Sequence, residues 1–226
     1  MSNVLTGRWS MFQQTATYSL IIRYGKIRSR TRSLLVFDLT HEGDVLFGSG
    51  RLLDMCLDSG RAPLKVTFPL PFVRAQPTPE LSANIYAVNG GYRFVQPKRW
   101  SVLGARLNDP ATDPLPTHAK DPNIWDQDED GNPGVTVNVS GLVNGSVYLT
   151  QRSWSELNGF QTSADTISGS IRFGQEQVIL GATNPLLKMS PRATPDPENS
   201  FFIMKRIAAD ADDFTVRDTL HKQWVA

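Results

Sequence analysis

The sequence predicts an all-β protein, and we expect an antiparallel up-and-down barrel of about 8–10 strands with long loops and a short C-terminal helix. Short runs of β-branched and aromatic residues recur along the chain, and several alternate between apolar and polar positions. The 17 glycines and 15 prolines fall mainly between these runs, where they mark turns. A length of 226 residues suits one large β domain, so we expect a single domain over residues 1–226, although the strand pattern alone also fits a sandwich.

In the first half of the chain, candidate strands follow one another at hairpin spacing. The apolar run of residues 33–40 is separated from the next run, which starts at Val45, by a polar segment containing Gly43, and this is typical of a hairpin. Residues 69–79 contain four prolines, which cannot donate to a strand ladder, so an edge or a loop is expected there. The remaining candidate strands of this half are residues 8–13, 17–23, 53–58, 64–68, 92–95 and 100–107.

In the second half, a long polar segment interrupts the strands. Residues 108–134 contain five prolines and show no periodicity, which predicts a long acidic loop inserted into the domain. Residues 208–226 are expected to form a tail or short helix, in which Asp212 is the candidate N-cap and Val216, Leu220 and Trp224 share one face. The candidate strands of this half are residues 135–140, 147–154, 166–173, 176–180 and 201–207.

Composition and the ends of the chain limit the classes of function. A net charge of +1 gives no general attraction to nucleic acid, so we expect no nucleic-acid partner. No run of about 18 apolar residues is present, so no transmembrane segment is expected. The first residues do not form a signal peptide, so the chain is either the mature form of a periplasmic, surface-associated or secreted protein, or cytoplasmic. Cys56, the one cysteine, is expected to be a small buried strand residue.

The first candidate strand opens with Leu5-Thr6-Gly7-Arg8-Trp9, and its Gly-x-Trp pattern resembles the opening signature of the lipocalin and calycin barrels. The resemblance implies that Trp9 closes the base of the barrel and packs under a basic residue from near the C-terminus. Arg206 is the candidate partner, with Lys205 as its alternative. A C-terminal helix on the barrel wall is also similar to the family. The greater length, the segment 108–134 and the missing mid-chain Asp-Tyr signature depart from it.

With this resemblance, we expect a noncatalytic bacterial lipocalin-like protein that binds a small apolar ligand inside its barrel. One alternative is a structural or interaction β domain, ordered by calcium, with a filled core. A second alternative is an enzyme on a β-barrel scaffold that uses His41 or His118 with nearby carboxylates. The sequence contains no G-x-S-x-G, H-E-x-x-H, phosphate-loop or C-x-x-C motif to favour that alternative.

The long loop contains a candidate metal site. Residues 126–131 read D-x-D-x-D-G, and three carboxylates spaced two apart before a glycine can wrap oxygen ligands around Ca²⁺. The predicted ligands are Asp126, Asp128, Asp130 and Asn132. The segment is not an EF-hand, because Val137 stands at the twelfth position, and the same residues also fit a solvated acidic turn.

A basic stretch precedes the third candidate strand. Arg23, Lys26, Arg28, Arg30 and Arg32 crowd one segment, and the last four have the same parity, so an extended strand places them on one face. This face could hold an anionic ligand or the acidic loop, or it could simply be solvated.

Overall fold

The computed structural model of the chain describes residues 4–21, 25–188 and 192–218, and one antiparallel sheet dominates it, which confirms the all-β prediction. Its strands are β1 (Gly7–Ile21), β2 (Gly25–Glu42), β3 (Val45–Asp58), β4 (Leu64–Thr67), β5 (Glu80–Val88), β6 (Gly91–Leu103), β7 (Val135–Gly141), β8 (Gly145–Ser163), β9 (Thr166–Ala182), β10 (Ala193–Pro195) and β11 (Phe201–Arg206). The helices are α1 (Leu70–Arg74), α2 (residues 213–218) and two 3-10 turns, Pro185–Leu187 and Pro197–Asn199. Within these residues, no helix is long and apolar enough to cross a membrane.

Eight of the strands close into a ring. Each ring strand pairs with the next ring strand in chain order, through β1, β2, β3, β5, β6, β8, β9 and β11, and β11 then pairs with β1. This is the up-and-down barrel that the sequence predicted. The strands β4, β7 and β10 lie outside the ring and extend the wall at one end.

One end of the barrel is filled with apolar side chains, and we call this end the base. Its cluster of buried residues comes from every strand of the ring or its flanks: Leu5, Trp9, Met11, Leu35, Phe37, Leu39, Leu46, Leu81, Ala83, Ile85, Phe94, Leu157, Ile167, Ile171, Phe173, Phe202 and Met204. Full burial of such side chains contributes about 1.5–3 kcal/mol each, so the base supplies a large part of the folding free energy.

The other end, which we call the wide half, is built differently. Along the first residues of β8, β7 takes the place of β6, because Val135–Val139 pair with Gly145–Leu149. The strand β4 pairs with β7 and ends this part of the sheet, and within the described residues no pairing joins it to β3. The wall of the wide half is therefore open between β3 and β4.

The predicted C-terminal helix is present and lies on the outer wall. Val216 of α2 packs against Leu34, Val36 and Leu53. Two further predicted members of its apolar face, Leu220 and Trp224, lie outside the described residues.

Several strands are longer than the sequence indicated. Residues 8–13 and 17–23 were predicted as separate strands, but Gly7–Ile21 is continuous, and Thr166–Ala182 likewise joins two predicted strands. The strand β6 continues past Pro97 because the pairing register shifts between Gln96 and Arg99, where a missing N–H is tolerated. The segment 69–79 is a loop with the short helix α1, and β5 was not predicted.

A bulge between β2 and β3 decides which residues of β3 face the interior. The register shifts between Leu34 and Leu35, so Leu53 faces outward onto α2, whereas Met55 and Leu57 face the interior. Cys56 then lies opposite Arg32 on the outer face and is exposed, so the prediction of a buried cysteine is wrong.

Candidate functional site

The three residues of the Gly-x-Trp resemblance meet at the base. Trp9 is completely buried and pairs with Arg206 across the β1–β11 ladder. The guanidinium of Arg206 lies 4.6 Å from the Trp9 ring centroid, and the Trp9 Nε1 donates to the carbonyl of Leu5 at 2.9 Å. Arg206 and not Lys205 therefore occupies the position over the ring.

Gly7 is required by this arrangement. Its φ is +137°, and a Cβ added there would lie 2.7 Å from the Arg206 Nη1. Arg206 also donates to the carbonyls of Thr6 at 2.6 Å and Val4 at 2.5 Å, and its Nε lies 3.2 Å from an Asp165 oxygen. These contacts tie the N-terminal segment to the last strand. None of the three signature residues lines the cavity.

The wide half contains a partly open cavity of about 1430 Å³. Its floor is the upper surface of the base, including Met11 and Phe37. Its far end is a second apolar cluster that buries Phe72 of α1 together with residues of β6, β7, β8 and a 3-10 turn: Leu103, Val135, Val137, Val139, Val147, Leu149 and Leu187. Most of these residues also line the cavity. The cavity is therefore apolar at both ends.

Between the two apolar ends lies a belt of uncharged polar side chains, which we call the polar band. Its members point inward because they alternate with outward residues along four strands. They are Gln13, Thr15 and Thr17 of β1, Ser29, Thr31 and Ser33 of β2, Gln151, Ser153 and Ser155 of β8, and Gln175 and Gln177 of β9. Hydroxyl and amide groups both donate and accept hydrogen bonds, so the band can bind a polar, uncharged group that is either a donor or an acceptor.

Charged residues of the lining are few. Arg99 pairs with Glu80 at 2.9 Å, and Glu176 pairs with Arg152 at 2.5 Å, so these charges satisfy one another. Arg192 is the remaining charged residue of the lining. No cluster of like charge therefore faces the polar band within the described residues.

The acidic loop brings three of its four predicted ligands together. One carboxylate oxygen each from Asp126, Asp128 and Asp130 lies within 4.8 Å of the others. The fourth, Asn132, donates its backbone N–H to the Asp130 Oδ1 at 2.9 Å. The carboxylate of Asp126 also accepts backbone N–H groups, from Asp130 at 3.2 Å and from Gly131 at 2.9 Å, so it organises the turn.

Asp128 is the buried member of this cluster. Its side chain is only 8% exposed, and its Oδ2 accepts the N–H of Thr136, the second residue of β7, at 2.8 Å. Its Oδ1 is buried and has no hydrogen-bond partner among the residues that the structure describes. Burial, followed by the charges of Asp130 and Asp126, raises the pKa of the Asp128 carboxyl, against the opposing effect of the Thr136 N–H.

Gln127, which the sequence did not single out, connects the loop to the wall of the cavity. Its Oε1 accepts the N–H of Gly104 at 2.8 Å, and its Nε2 donates to the carbonyl of Ala75 at 2.5 Å. Ala75 caps the C-terminus of α1, whose Phe72 lines the cavity. A glutamine between two aspartates is ordinary in a loop, so no sequence signal marked this contact.

The basic stretch does form one outer face of β2, as its parity predicts, but none of its described residues lines the cavity, and their ion pairs lie outside the acidic loop. Arg28 lies 3.0 Å from an Asp196 oxygen, and Arg30 lies 3.4 Å from an Asp58 oxygen. Lys26 lies over the Tyr18 ring at 3.7 Å. Arg23 lies outside the described residues.

The histidines of the enzyme alternative do not meet a carboxylate cluster among the described residues. His41 is 4% exposed and packs edge-on against Tyr92 in the base, with ring centroids 5.7 Å apart. His118 is exposed in the long loop. His221 lies outside the described residues.

Comparison with known protein families, with curated proteins and with solved structures finds no match to this chain. The functional argument therefore depends on the cavity and the loop themselves.

Proposed function

We propose that this protein is a noncatalytic, lipocalin-like binding protein that holds a small, elongated, amphipathic molecule inside its barrel. The observation that carries the proposal is the cavity of about 1430 Å³ in the wide half, which is larger than the roughly 300–1,000 Å³ of typical small-molecule sites. A closed barrel filled by side chains, the structural alternative, would leave no such volume.

The lining indicates the chemical class of the ligand. Its apolar floor and far end favour hydrocarbon, while the polar band between them favours hydroxyl, ether or amide groups. The charges of the lining other than Arg192 already pair with opposite charges, so an ionic group at the band would lose its hydration with little compensation, and that loss is costly. The ligand that fits is therefore uncharged, with a hydrogen-bonding middle and apolar ends. This extends the apolar ligand that the sequence suggested.

The test is a titration of the protein with N-phenyl-1-naphthylamine, an uncharged dye that fluoresces in apolar surroundings. We expect saturable fluorescence and displacement by an N-alkyl alkanamide, which carries hydrocarbon on both sides of its amide, at lower concentration than by an alkane or a carboxylate of similar chain length.

A matched pair of variants locates the binding. Ser153→Phe places a ring in the volume that the dye would occupy and removes one hydroxyl of the polar band, so it should weaken dye binding by about tenfold, which corresponds to about 1.4 kcal/mol of lost binding free energy. Ser140→Phe makes the same change on an exposed position of β7 and should leave binding unchanged. Equal dye affinity in both variants, or no saturable binding to the parent protein, would overturn the proposal and favour a structural β domain.

A further inference from the structure

We propose that the loop containing Asp126, Asp128 and Asp130 binds one Ca²⁺ ion, which orders the loop and supports the wall of the cavity. The three carboxylates alone would not justify this, because acidic turns are common on protein surfaces. The additional observation is Asp128, which is buried and whose Oδ1 has no hydrogen-bond partner in the described part of the chain, whereas its Oδ2 accepts the Thr136 N–H.

The orphaned oxygen points to a cation. A buried carboxylate oxygen without a donor is costly, and two further carboxylate oxygens lie within 4.8 Å of that carboxylate group. A proton would relieve the charge on one group only, whereas a divalent cation attracts all three. The three carboxylates repel one another without an ion, and a bound divalent cation offsets this repulsion because each carboxylate is attracted to it.

The distances suit calcium. Ca²⁺ binds oxygen at about 2.3–2.6 Å, so two of its ligands can lie as much as about 5 Å apart, and the cluster falls within this limit. Mg²⁺ requires near-ideal octahedral geometry with its oxygen ligands at about 2.0–2.1 Å, so we expect this cluster to bind Mg²⁺ more weakly than Ca²⁺. Each carboxylate oxygen that accepts a backbone N–H retains a second lone pair for the ion. The side chain of Asn132 lies beside Asp130 and can supply a further oxygen.

The position of the cluster gives the ion a structural role. Asp128 is bonded to Thr136 at the start of β7, and Gln127 bridges Gly104 and the end of α1. An ion held by Asp126, Asp128 and Asp130 fixes the backbone around Gln127, and hence the contact of the loop with α1 over the cavity.

The experiment measures thermal unfolding of chelator-treated protein as calcium or magnesium is added up to millimolar concentration. Calcium should raise the melting temperature by about 5–10 °C at about 100 times its dissociation constant, and magnesium should raise it less. Asp128→Asn and Asp126→Asn should remove most of the calcium-dependent shift. Glu129→Gln removes one charge from the same loop but lies outside the cluster, and it should retain the full shift.

Terbium luminescence provides a second readout that does not depend on stability. Trp125, which is 41% exposed and adjacent to Asp126, should transfer excitation to bound Tb³⁺. Calcium should displace Tb³⁺ and so reduce the luminescence. Trp125→Phe should also reduce the luminescence, but it should leave the calcium-dependent rise in melting temperature intact. If Asp128→Asn fails to fold, the exposed Asp130→Asn serves in its place. An equal calcium shift in the parent and the Asp→Asn variants, or no shift in the parent, would overturn the proposal, whatever the outcome for the cavity.

Discussion

The base and the wide half share the long strands β1, β2, β8 and β9 but differ in which side chains of those strands face the interior. On β1, the inward residues are Trp9 and Met11 at the base and Thr15 and Thr17 in the wide half. The strand β2 makes the same change between Leu35 and Thr31. The base is therefore packed throughout with apolar side chains, whereas the wide half surrounds a cavity with polar side chains beside a second apolar cluster. The comparison teaches that the same strands can pack a core at one end of a barrel and line a cavity at the other.

The largest expected effect comes from breaking the base. Trp9→Ala should destabilise the protein by about 3–5 kcal/mol, because it leaves a cavity in a fully packed cluster and removes the ring that Arg206 covers. Chemical denaturation monitored by circular dichroism measures this loss. Trp125→Ala is the control, since Trp125 is 41% exposed, and it should cost no more than about 1 kcal/mol. Equal losses would mean that the base is not the stabilising half.

A reciprocal exchange on β1 compares the halves directly. Met11→Thr places a hydroxyl in the packed base and should cost about 2–4 kcal/mol, because apolar burial is lost and the hydroxyl lacks a partner. Thr15→Met places an apolar side chain in the polar band and should change stability by less than about 1 kcal/mol, because the cavity has room for it. The urea midpoints of the two variants give the comparison, and similar costs would contradict the division into two halves.

The smallest expected change in stability concerns the outer wall of the barrel, where α2 packs. Asp213 lies 2.8 Å from Arg51 and 3.3 Å from Arg8. The hydrogen bond from Arg51 is the main cause that lowers the pKa of the Asp213 carboxyl, and the charges of Arg51, Arg8 and Arg217 add to it. Partial burial of the carboxyl has the opposite effect. Because this pKa is lower in the folded state, the stabilisation is complete above about pH 4 and is lost as the pH falls through the lowered value.

Asp213→Asn should therefore cost about 0.5–1 kcal/mol at neutral pH, the usual contribution of partly exposed ion pairs, and nothing at strongly acidic pH. Unfolding curves of the parent and the variant at several pH values test this prediction. A difference between them that did not shrink with acidity would assign the effect to packing of α2 and not to charge.

The polar band explains why the long strands were predicted as pairs of short ones. The apolar pattern of β1 fades beyond residue 13, where the inward positions become Thr15 and Thr17, and the pattern of β9 fades in the same way near Gln175. A polar residue in a strand normally faces solvent, so the sequence offers no sign that these residues line an interior. The strand β5 was missed although Leu81, Ala83 and Ile85 alternate with polar residues there.

The sequence by itself determined the β class, the turns, the spacing of the basic face and the chemistry of two local features. Gly7 and Trp9 belong to one three-residue pattern, which was singled out by its resemblance to the lipocalin opening signature, and the acidic cluster lies within one short segment that its own spacing marked. Only the tertiary structure decided that Arg206 covers Trp9, that Asp128 is buried against Thr136, and that polar residues from four strands surround one cavity. These arrangements depend on barrel closure and strand register, which join residues far apart in sequence and which local propensity does not encode.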